Sequence, residues 1–375
     1  MFNRNIYKDI VTHFFKGFAI VLIGPRQVGK TTFIQELAKN EQFKTVYYNC
    51  DEPDVKRSLE NITSTQIKNL VANNEVIIID EAQRVENIGI TLKLMVDNFK
   101  DKQFIVTGSS ALEIADKIFE PLTGRQLLYH LYPLCVNEIY EGKTHIEIAR
   151  NINWHLVYGS YPKVVTNKAD GELILKNLAG QYLYKDVLSW KDIRKPDLLD
   201  KILHLLALQI STEVSLNELA TQLKVSVSTV DSYIDLLEKS GVVYKLKSFS
   251  TNERKEVTKM KKIYFWDNGI RNAILGRFDA IENRTDVGAL WENFIITERI
   301  KMNFYQQKNV RSYFWRSKQQ QEIDYVEVMD EKIIGFECKY NPMSKGKPTK
   351  AFTNLYPKAT ANIIHTENFF SFVGV

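Results

Sequence analysis

The chain has 375 residues, more than one hydrophobic core usually serves, so two or three domains are expected. Its 44% apolar and 25% charged residues are ordinary for a globular protein, and 50 basic against 45 acidic residues leave a net charge of only +5, so bulk charge demands no nucleic-acid partner. No run of about 18 apolar residues is available to span a bilayer and no basic-then-apolar leader opens the chain, which points to a cytoplasmic protein with no membrane attachment, while Cys50, Cys135 and Cys338 are too scattered for a disulfide framework or a zinc site.

The apolar run Phe18 to Ile23 reads as a strand, and a helix-like stretch begins near Lys30. Between them lies Gly24-Pro25-Arg26-Gln27-Val28-Gly29-Lys30-Thr31, an unbroken phosphate-binding loop. Its glycines let successive amide hydrogens turn toward a β-phosphate, and the helix that follows adds the positive end of its dipole. Lys30 supplies a mobile cation for the β- and γ-phosphates, and the Thr31 hydroxyl is placed to ligate magnesium. The residues expected to hold ATP are therefore Gly24, Pro25, Arg26, Gln27, Val28, Gly29, Lys30, Thr31 and Thr32.

Val76-Ile77-Ile78-Ile79 is a branched apolar run ending in Asp80 and Glu81, the pattern of a buried parallel strand that terminates in acid. Asp80 is the second candidate magnesium ligand, and Glu81 is the candidate base for the water that attacks the γ-phosphate. A third run, Gln103 to Thr107, leads into Gly108-Ser109-Ser110. Thr107, Ser109 or Ser110 could sense the γ-phosphate or cap a helix over Ala111 to Ile118. Arg125, in Leu122-Thr123-Gly124-Arg125, is either an arginine finger or phosphate sensor, acting within one chain or across a subunit contact of a homo-oligomer, or an ordinary surface arginine.

Strand and helix patterns alternate from about Phe18 to Tyr140, as a parallel sheet with crossover helices requires. A mainly helical region to about Lys195 follows, with Tyr158-Gly159-Ser160-Tyr161-Pro162 and a helix expected from Gly171 to Ser189. Next come a helix over Leu198 to Ile210, a capping-box start at Ser215 and Glu218, a helix over Asp231 to Ser240, Gly241, and the alternating run Val242 to Leu246. That order reads as a winged helix. Its third helix offers Ser226, Ser228, Thr229, Asp231, Ser232 and Asp235, so two acids lie on the face that would meet DNA. Lys245, Lys247, Arg254, Lys255, Lys259, Lys261 and Lys262 follow and would suit a phosphate groove. Duplex DNA and a protein partner are both open at this point.

In the last third, Trp291 to Glu298 has helical spacing, whereas Glu322 to Val326 and Gly335 to Lys339 alternate as strands do. Glu337 and Lys339 share a face while Phe336 and Cys338 point to the core. Glu292, Asp324, Glu337 and Lys339 could together surround a magnesium ion for phosphodiester attack, with Arg311, Arg316, Lys318, Lys345, Lys347 and Lys350 as basic surroundings. Charged alternation on a half-exposed sheet is the competing reading.

These motifs together resemble a family of AAA+-class P-loop ATPases of bacteria and archaea whose C-terminal part is a domain of unknown function. The carriers, besides the loop itself, are Ile79-Asp80-Glu81-Ala82-Gln83, Thr107-Gly108-Ser109-Ser110, Leu122-Thr123-Gly124-Arg125, Tyr132-Pro133-Leu134, Tyr264-Phe265-Trp266-Asp267-Asn268-Gly269 and Glu337-Cys338-Lys339. The resemblance implies an α/β chain: a P-loop NTPase core with a parallel sheet (1–140), a helical lid or connector (141–196), a winged helix (197–262) and a restriction-endonuclease-like α/β domain (263–375). It also implies a nuclease pattern at Asp324, Glu337 and Lys339, from which the chain departs by placing Ile323 rather than proline before Asp324. The expected activity is Mg-dependent ATP hydrolysis coupled to movement of the C-terminal region, or an ATP-dependent switch for a protein partner with an inactive nuclease-like domain.

Overall fold

A computed structural model describes residues 2–39, 42–108, 118, 120–182, 195–250, 261–343 and 348–375. The chain divides into two compact units, residues 1–132 with 183–193 and 239–241, and residues 133–182 with 194–238 and 242–375.

The first unit is built on a five-stranded sheet of β1 (Ala19–Ile23), β2 (Thr45–Asn49), β3 (Val76–Asp80), β4 (Gln103–Gly108) and β5 (Gln126–His130), in the order β2-β3-β4-β1-β5. Every pairing is parallel. β1, β3 and β4 are buried at each position because helices cover both faces, which is why these strands read as unbroken apolar runs. The covering helices are α1 (Ile6–Thr12), α2 (Lys30–Ala38), α3 (Pro53–Leu59), α4 (Ser64–Val71) and α5 (Ile88–Asn98). Thr63 and Gln66 form a capping box at the start of α4, and Ile67 and Val71 carry that helix into the core beside Ile77, Ile79 and Leu92. β1 lies between β4 and β5, so its carboxyl end sits where connections leave the sheet in opposite directions, the usual place for a ligand.

The second unit opens with α6 (Val136–Ile139), α7 (His145–Tyr158), α8 (Pro162–Thr166) and α9 (Gly171–Asn177), the last running into a π-helical turn at Leu178–Tyr182. The remainder of the helix expected to Ser189 lies outside the described residues, as do Ser109, Ser110, most of Ala111 to Ile118, Arg254, Lys255, Lys259, Lys345 and Lys347. Helices α10 (Pro196–Leu208), α11 (Leu216–Leu223) and α12 (Val227–Lys239) follow as the apolar spacing requires, and Ser215 caps α11 by accepting the Glu218 amide at 3.3 Å. Gly241 ends the helical segment with a φ of 75°, a left-handed turn that favours glycine.

Seven strands form the second sheet, β6 (Glu213–Val214), β7 (Val243–Ser248), β8 (Lys261–Phe265), β9 (Arg311–Arg316), β10 (Glu322–Met329), β11 (Lys332–Cys338) and β12 (Ala359–Ile364), in the order β12-β11-β10-β9-β7-β8-β6. β7 pairs in parallel with β9 through Lys247 and Ser248. The hairpin of the three-helix segment and the C-terminal strands are therefore one continuous sheet, and the boundary expected between residues 262 and 263 falls inside β8. Helices α13 (Asn268–Leu275), α14 (Val287–Tyr305), α15 (Lys350–Leu355) and α16 (Phe370–Val373) complete the unit. Trp291, Phe294, Tyr264, Tyr325, Phe336 and Phe372 make the aromatic centre of its core.

The Tyr158-Gly159-Ser160 and Asp267-Asn268-Gly269 motifs explain one another. Asp267 caps α13 through the Ile270 amide at 3.0 Å and also accepts the Ser160 amide at 2.6 Å. A Cβ on Gly159 would lie 2.1 Å from the Asp267 carboxylate, and one on Gly269 would lie 2.3 Å from the Tyr158 carbonyl, so both positions need glycine. Asn268 and Asn272 donate to carbonyls at the end of α7, including Leu156 and Val157. These residues fasten α7 to α13, and burial raises the Asp267 carboxyl to about 6.

Candidate nucleotide-binding site and the C-terminal carboxylate cluster

The loop between β1 and α2 closes on its own backbone. Gly24 lies so near the next chain segment that an added Cβ would meet the Leu131 carbonyl at 2.2 Å, and Gly29 holds a φ of 95° just before α2. Val28 is buried beneath the loop, while Gln27 takes a left-handed φ of 61° at its crest. Lys30, only 5% exposed, donates from Nζ to the Gly24 carbonyl at 2.8 Å and the Pro25 carbonyl at 3.1 Å, so its ammonium is held across the mouth of the loop. Arg4 braces the outside, donating to the Tyr132 carbonyl at 2.6 Å and the Val28 carbonyl at 3.4 Å. Arg26 and Thr32 belong to the same loop and first helical turn.

Asp80 ends β3 with its carboxylate surrounded by hydroxyl groups. Thr31 donates to Oδ2 at 3.1 Å, Tyr47 donates to the same oxygen at 2.6 Å, and Thr107 donates to Oδ1. The pairing of β2, β3 and β4 aligns Asn49 with Asp80 and Val106 with Ile79, which brings Tyr47 and Thr107 to opposite sides of the acid. Thr107 also accepts the Glu81 amide at 3.0 Å, so its hydroxyl spans two adjacent acidic residues. Burial, reinforced by Asp80, raises the Tyr47 hydroxyl above its ordinary pKa and keeps it a donor. The same two influences push the Cys50 thiol up to about 12, so this buried cysteine stays protonated.

Glu81 has a left-handed φ of 54°, which turns its side chain away from the direction of the strand. Its Oε2 accepts from the buried Gln83 amide at 2.6 Å. Nothing in the sequence around Gln83 announces its bond to Glu81, and Arg4 and Tyr47 join the site across 24 or more residues of chain. Thr31 and Asp80, the two expected magnesium ligands, lie at one place beside Lys30, a set of hard oxygen donors that suits magnesium.

Arg125 is placed elsewhere. Its carbonyl accepts the Ala19 amide at the amino end of β1, whereas the phosphate loop leaves the carboxyl end, and its guanidinium pairs with Asp97 at 2.6 Å. A five-residue strand spans roughly 15 Å, so Arg125 cannot reach the phosphates held by its own chain. The expectation of an arginine finger acting within one chain is corrected accordingly.

The C-terminal candidates lie within electrostatic reach of one another, Lys339 acting on Asp324 and Asp324 on Glu337, but their direct contacts differ. Glu292 of α14 and Asp324 of β10 both face Lys262, which is 2% exposed. Its Nζ lies 2.9 Å from Glu292 and 4.0 Å from Asp324, and it also contacts Glu322. Tyr264 donates to the same Glu292 oxygen at 2.7 Å. Glu337 instead accepts the Thr349 amide at 2.8 Å and sits 3.8 Å from Lys339, whose side chain is 42% exposed. Among the described residues no group of three or more acidic, histidine or cysteine side chains is arranged to hold a metal ion. A buried ammonium, that of Lys262, lies against two of the four expected residues, Glu292 and Asp324. Burial pushes Glu292 up to about 7 and raises Asp324, while Lys262 remains charged because its three acidic neighbours outweigh its own burial.

The expected basic groove loses two members for the same kind of reason. Lys262 is internal, and Lys245, 10% exposed, contacts Asp235, with Glu238 at 3.5 Å and Asp231 at 3.9 Å. Lys245 neutralises the acidic face of α12 and is committed to it.

A glycine-tight loop between strand and helix, with a lysine and a threonine at its end and an acid on a nearby strand end, is the arrangement of a P-loop NTPase core. Residues 16–140 match the family described as AAA domain. Residues 149–280 and 287–371 match two families described as domains of unknown function, DUF8612 and DUF4143. The chain is 26% identical over 340 residues to the uncharacterized protein Rv2008c of Mycobacterium tuberculosis, a match covering 85% of this chain and 70% of that protein. It is 25% identical over 339 residues to the uncharacterized protein MJ1637 of Methanocaldococcus jannaschii, covering 78% and 71%. Among solved structures, it is similar to a signal transduction ATPase with numerous domains (STAND) from Pyrococcus horikoshii, with 12% identity and a TM-score of 0.25 over 82% of this chain and 48% of that one. It is also similar to Cdc6p from Pyrobaculum aerophilum, with 14% identity and a TM-score of 0.27 over 70% and 90%. At those TM-scores the assignment of the core rests on the family match and the geometry of the site. Among the described residues no helix is long and apolar enough to cross a membrane.

Proposed function

We propose that this chain binds and hydrolyses ATP at the loop between β1 and α2. The observation that carries the reading is the convergence of Lys30, Thr31 and Asp80 at the carboxyl ends of β1 and β3, with Glu81 next in the chain. Loop amides and the α2 amino terminus would cradle the phosphates, and the Lys30 ammonium would move from the Gly24 and Pro25 carbonyls to the β- and γ-phosphates. A magnesium ion held by Thr31 and Asp80 would neutralise charge between those phosphates. Glu81 would accept the proton of the attacking water once its carboxylate turns from Gln83 toward the γ-phosphate. Thr107, joined to both Asp80 and Glu81, is suited to register the state of the phosphate between them.

ATP hydrolysis by the wild type, Lys30→Ala and Glu81→Gln tests this reading. Loss of nucleotide binding in the first variant, and retained binding without turnover in the second, would support it; wild-type turnover in Glu81→Gln would sink it.

Helices α10 to α12 with β7 and β8 are read as a winged helix, and α14 with β9 to β12 as a nuclease-like fold, both moved by ATP turnover. The commitment of Lys245 to α12 and of Lys262 to the interior favours a protein partner over duplex DNA for this region. ATPase rates indifferent to added duplex DNA would support that partner class, and stimulation by DNA that disappears in Glu81→Gln would overturn it.

A further inference from the structure

Three carboxylates, from α14 and β10, converge on one side chain that belongs to neither element. Lys262 enters from β8, and its Nζ meets Glu292 at 2.9 Å, contacts Glu322 and lies 4.0 Å from Asp324. The face of the Phe314 ring lies 5.6 Å from the same ammonium, so the charge is closed in by aromatic surface as well as by acids. Other groups also bond to the carboxylates of the cluster. Asp324 Oδ2 takes the Cys338 amide at 2.7 Å, Glu292 Oε1 takes the Tyr264 hydroxyl, and Arg316 stands 3.8 Å from Glu322 and 3.2 Å from Glu213.

We infer that Lys262 is the resident cation of this cluster, standing in the place where a divalent ion was expected, so that an internal ammonium joins α14, β8 and β10 and no metal binds there. A metal ion ligated by Glu292 and Asp324 would share their oxygens with an ammonium that is 2% exposed. Removing the ammonium would leave three acidic side chains facing one another, and hard oxygen donors of that kind bind manganese or magnesium. The lysine thus does the cross-linking of a structural metal, and it comes from β8, ahead of the C-terminal strands that supply two of the acids. This inference stands apart from ATP hydrolysis, because it is read without nucleotide.

The test uses the full chain and free Mn2+ as the probe, followed by electron paramagnetic resonance in the absence of nucleotide. Wild type and Asp324→Asn are expected to bind Mn2+ equally, because the cluster contributes nothing in either. Lys262→Ala is expected to gain about one bound Mn2+, to lose it again when Glu292→Gln is added, and to recover part of its lowered melting temperature when Mn2+ is present. A wild-type Mn2+ signal that disappears in Asp324→Asn would overturn the inference. So would a folded Lys262→Ala that acquires no Mn2+. If Lys262→Ala does not fold, the comparison of wild type with Asp324→Asn decides alone, equal binding supporting the inference and unequal binding ending it.

Discussion

Tyr47 and Asp80 meet through a 2.6 Å hydrogen bond between neighbouring strands, and the acceptor is the same carboxylate oxygen that receives Thr31. A tyrosine on β2 therefore fixes the orientation of the acid proposed to hold magnesium. Tyr47→Phe preserves the ring and removes only the donor. Residues that orient a metal ligand typically contribute 10- to 100-fold, so the apparent affinity for Mg-ATP should fall by roughly that factor with a smaller change in kcat. Titration of ATPase rate against magnesium would detect it, and an unchanged magnesium dependence would remove Tyr47 from the site.

Gln83 holds Glu81 at 2.6 Å, and the two should be separable in kinetics. Glu81→Gln should retain nucleotide binding and lose about 10²- to 10⁴-fold in turnover, the usual contribution of a general base. Gln83→Ala frees the Glu81 carboxylate without deleting it, and is expected to alter kcat while leaving nucleotide affinity near wild type. Binding of a fluorescent ATP analogue alongside steady-state turnover separates the two effects.

Arg125 should be dispensable for hydrolysis within one chain. It lies at the opposite end of β1 from the phosphate loop, in an exposed pair with Asp97. Exposed pairs contribute little to stability, so Arg125→Ala is expected to leave both melting temperature and dilute-solution turnover nearly unchanged. A large loss of turnover that persists on dilution would contradict this placement.

The Asp267 carboxyl supplies a dependence on pH. Its pKa rises from an ordinary 3.8 to about 6 in the fold, with burial as the main cause. The folded state thus holds this proton more tightly than the unfolded chain. The resulting stabilisation is complete below pH 3.8 and is lost as pH rises through about 6. It amounts to about 2–3 kcal/mol at most. Denaturant unfolding from pH 4 to pH 7 should show wild type losing stability relative to Asp267→Asn over that interval. Parallel curves for the two proteins would rule out the shifted carboxyl.

Much of the nucleotide site was legible because it is local. Gly24 to Thr31 is a contiguous loop, and Asp80 with Glu81 closes a strand whose apolar run already identified it as buried. The helices from Pro196 to Lys239 were likewise readable from apolar spacing and the Ser215 cap. What escaped was pairing across the chain. Tyr47 reaches Asp80 over 33 positions, and Arg4 reaches Tyr132 over 128. Lys262 looked like one more base in a basic stretch, because nothing near it in sequence announces that β8 turns that side chain inward toward Glu292, 30 residues later. Lys245 misled for the same reason, its acidic partners lying one helix earlier.

The parallel pairing of β7 with β9 governs how this protein may be cut. A fragment beginning at residue 263 would lose β6, β7 and the first two residues of β8, strip the hydrogen-bonded neighbour β7 from β9, and discard the ammonium that balances Glu292, Glu322 and Asp324. The open edge would invite strand addition by other copies, and the uncompensated acids would repel one another. Truncation at that point should yield aggregates, so a usable C-terminal fragment has to begin ahead of β6.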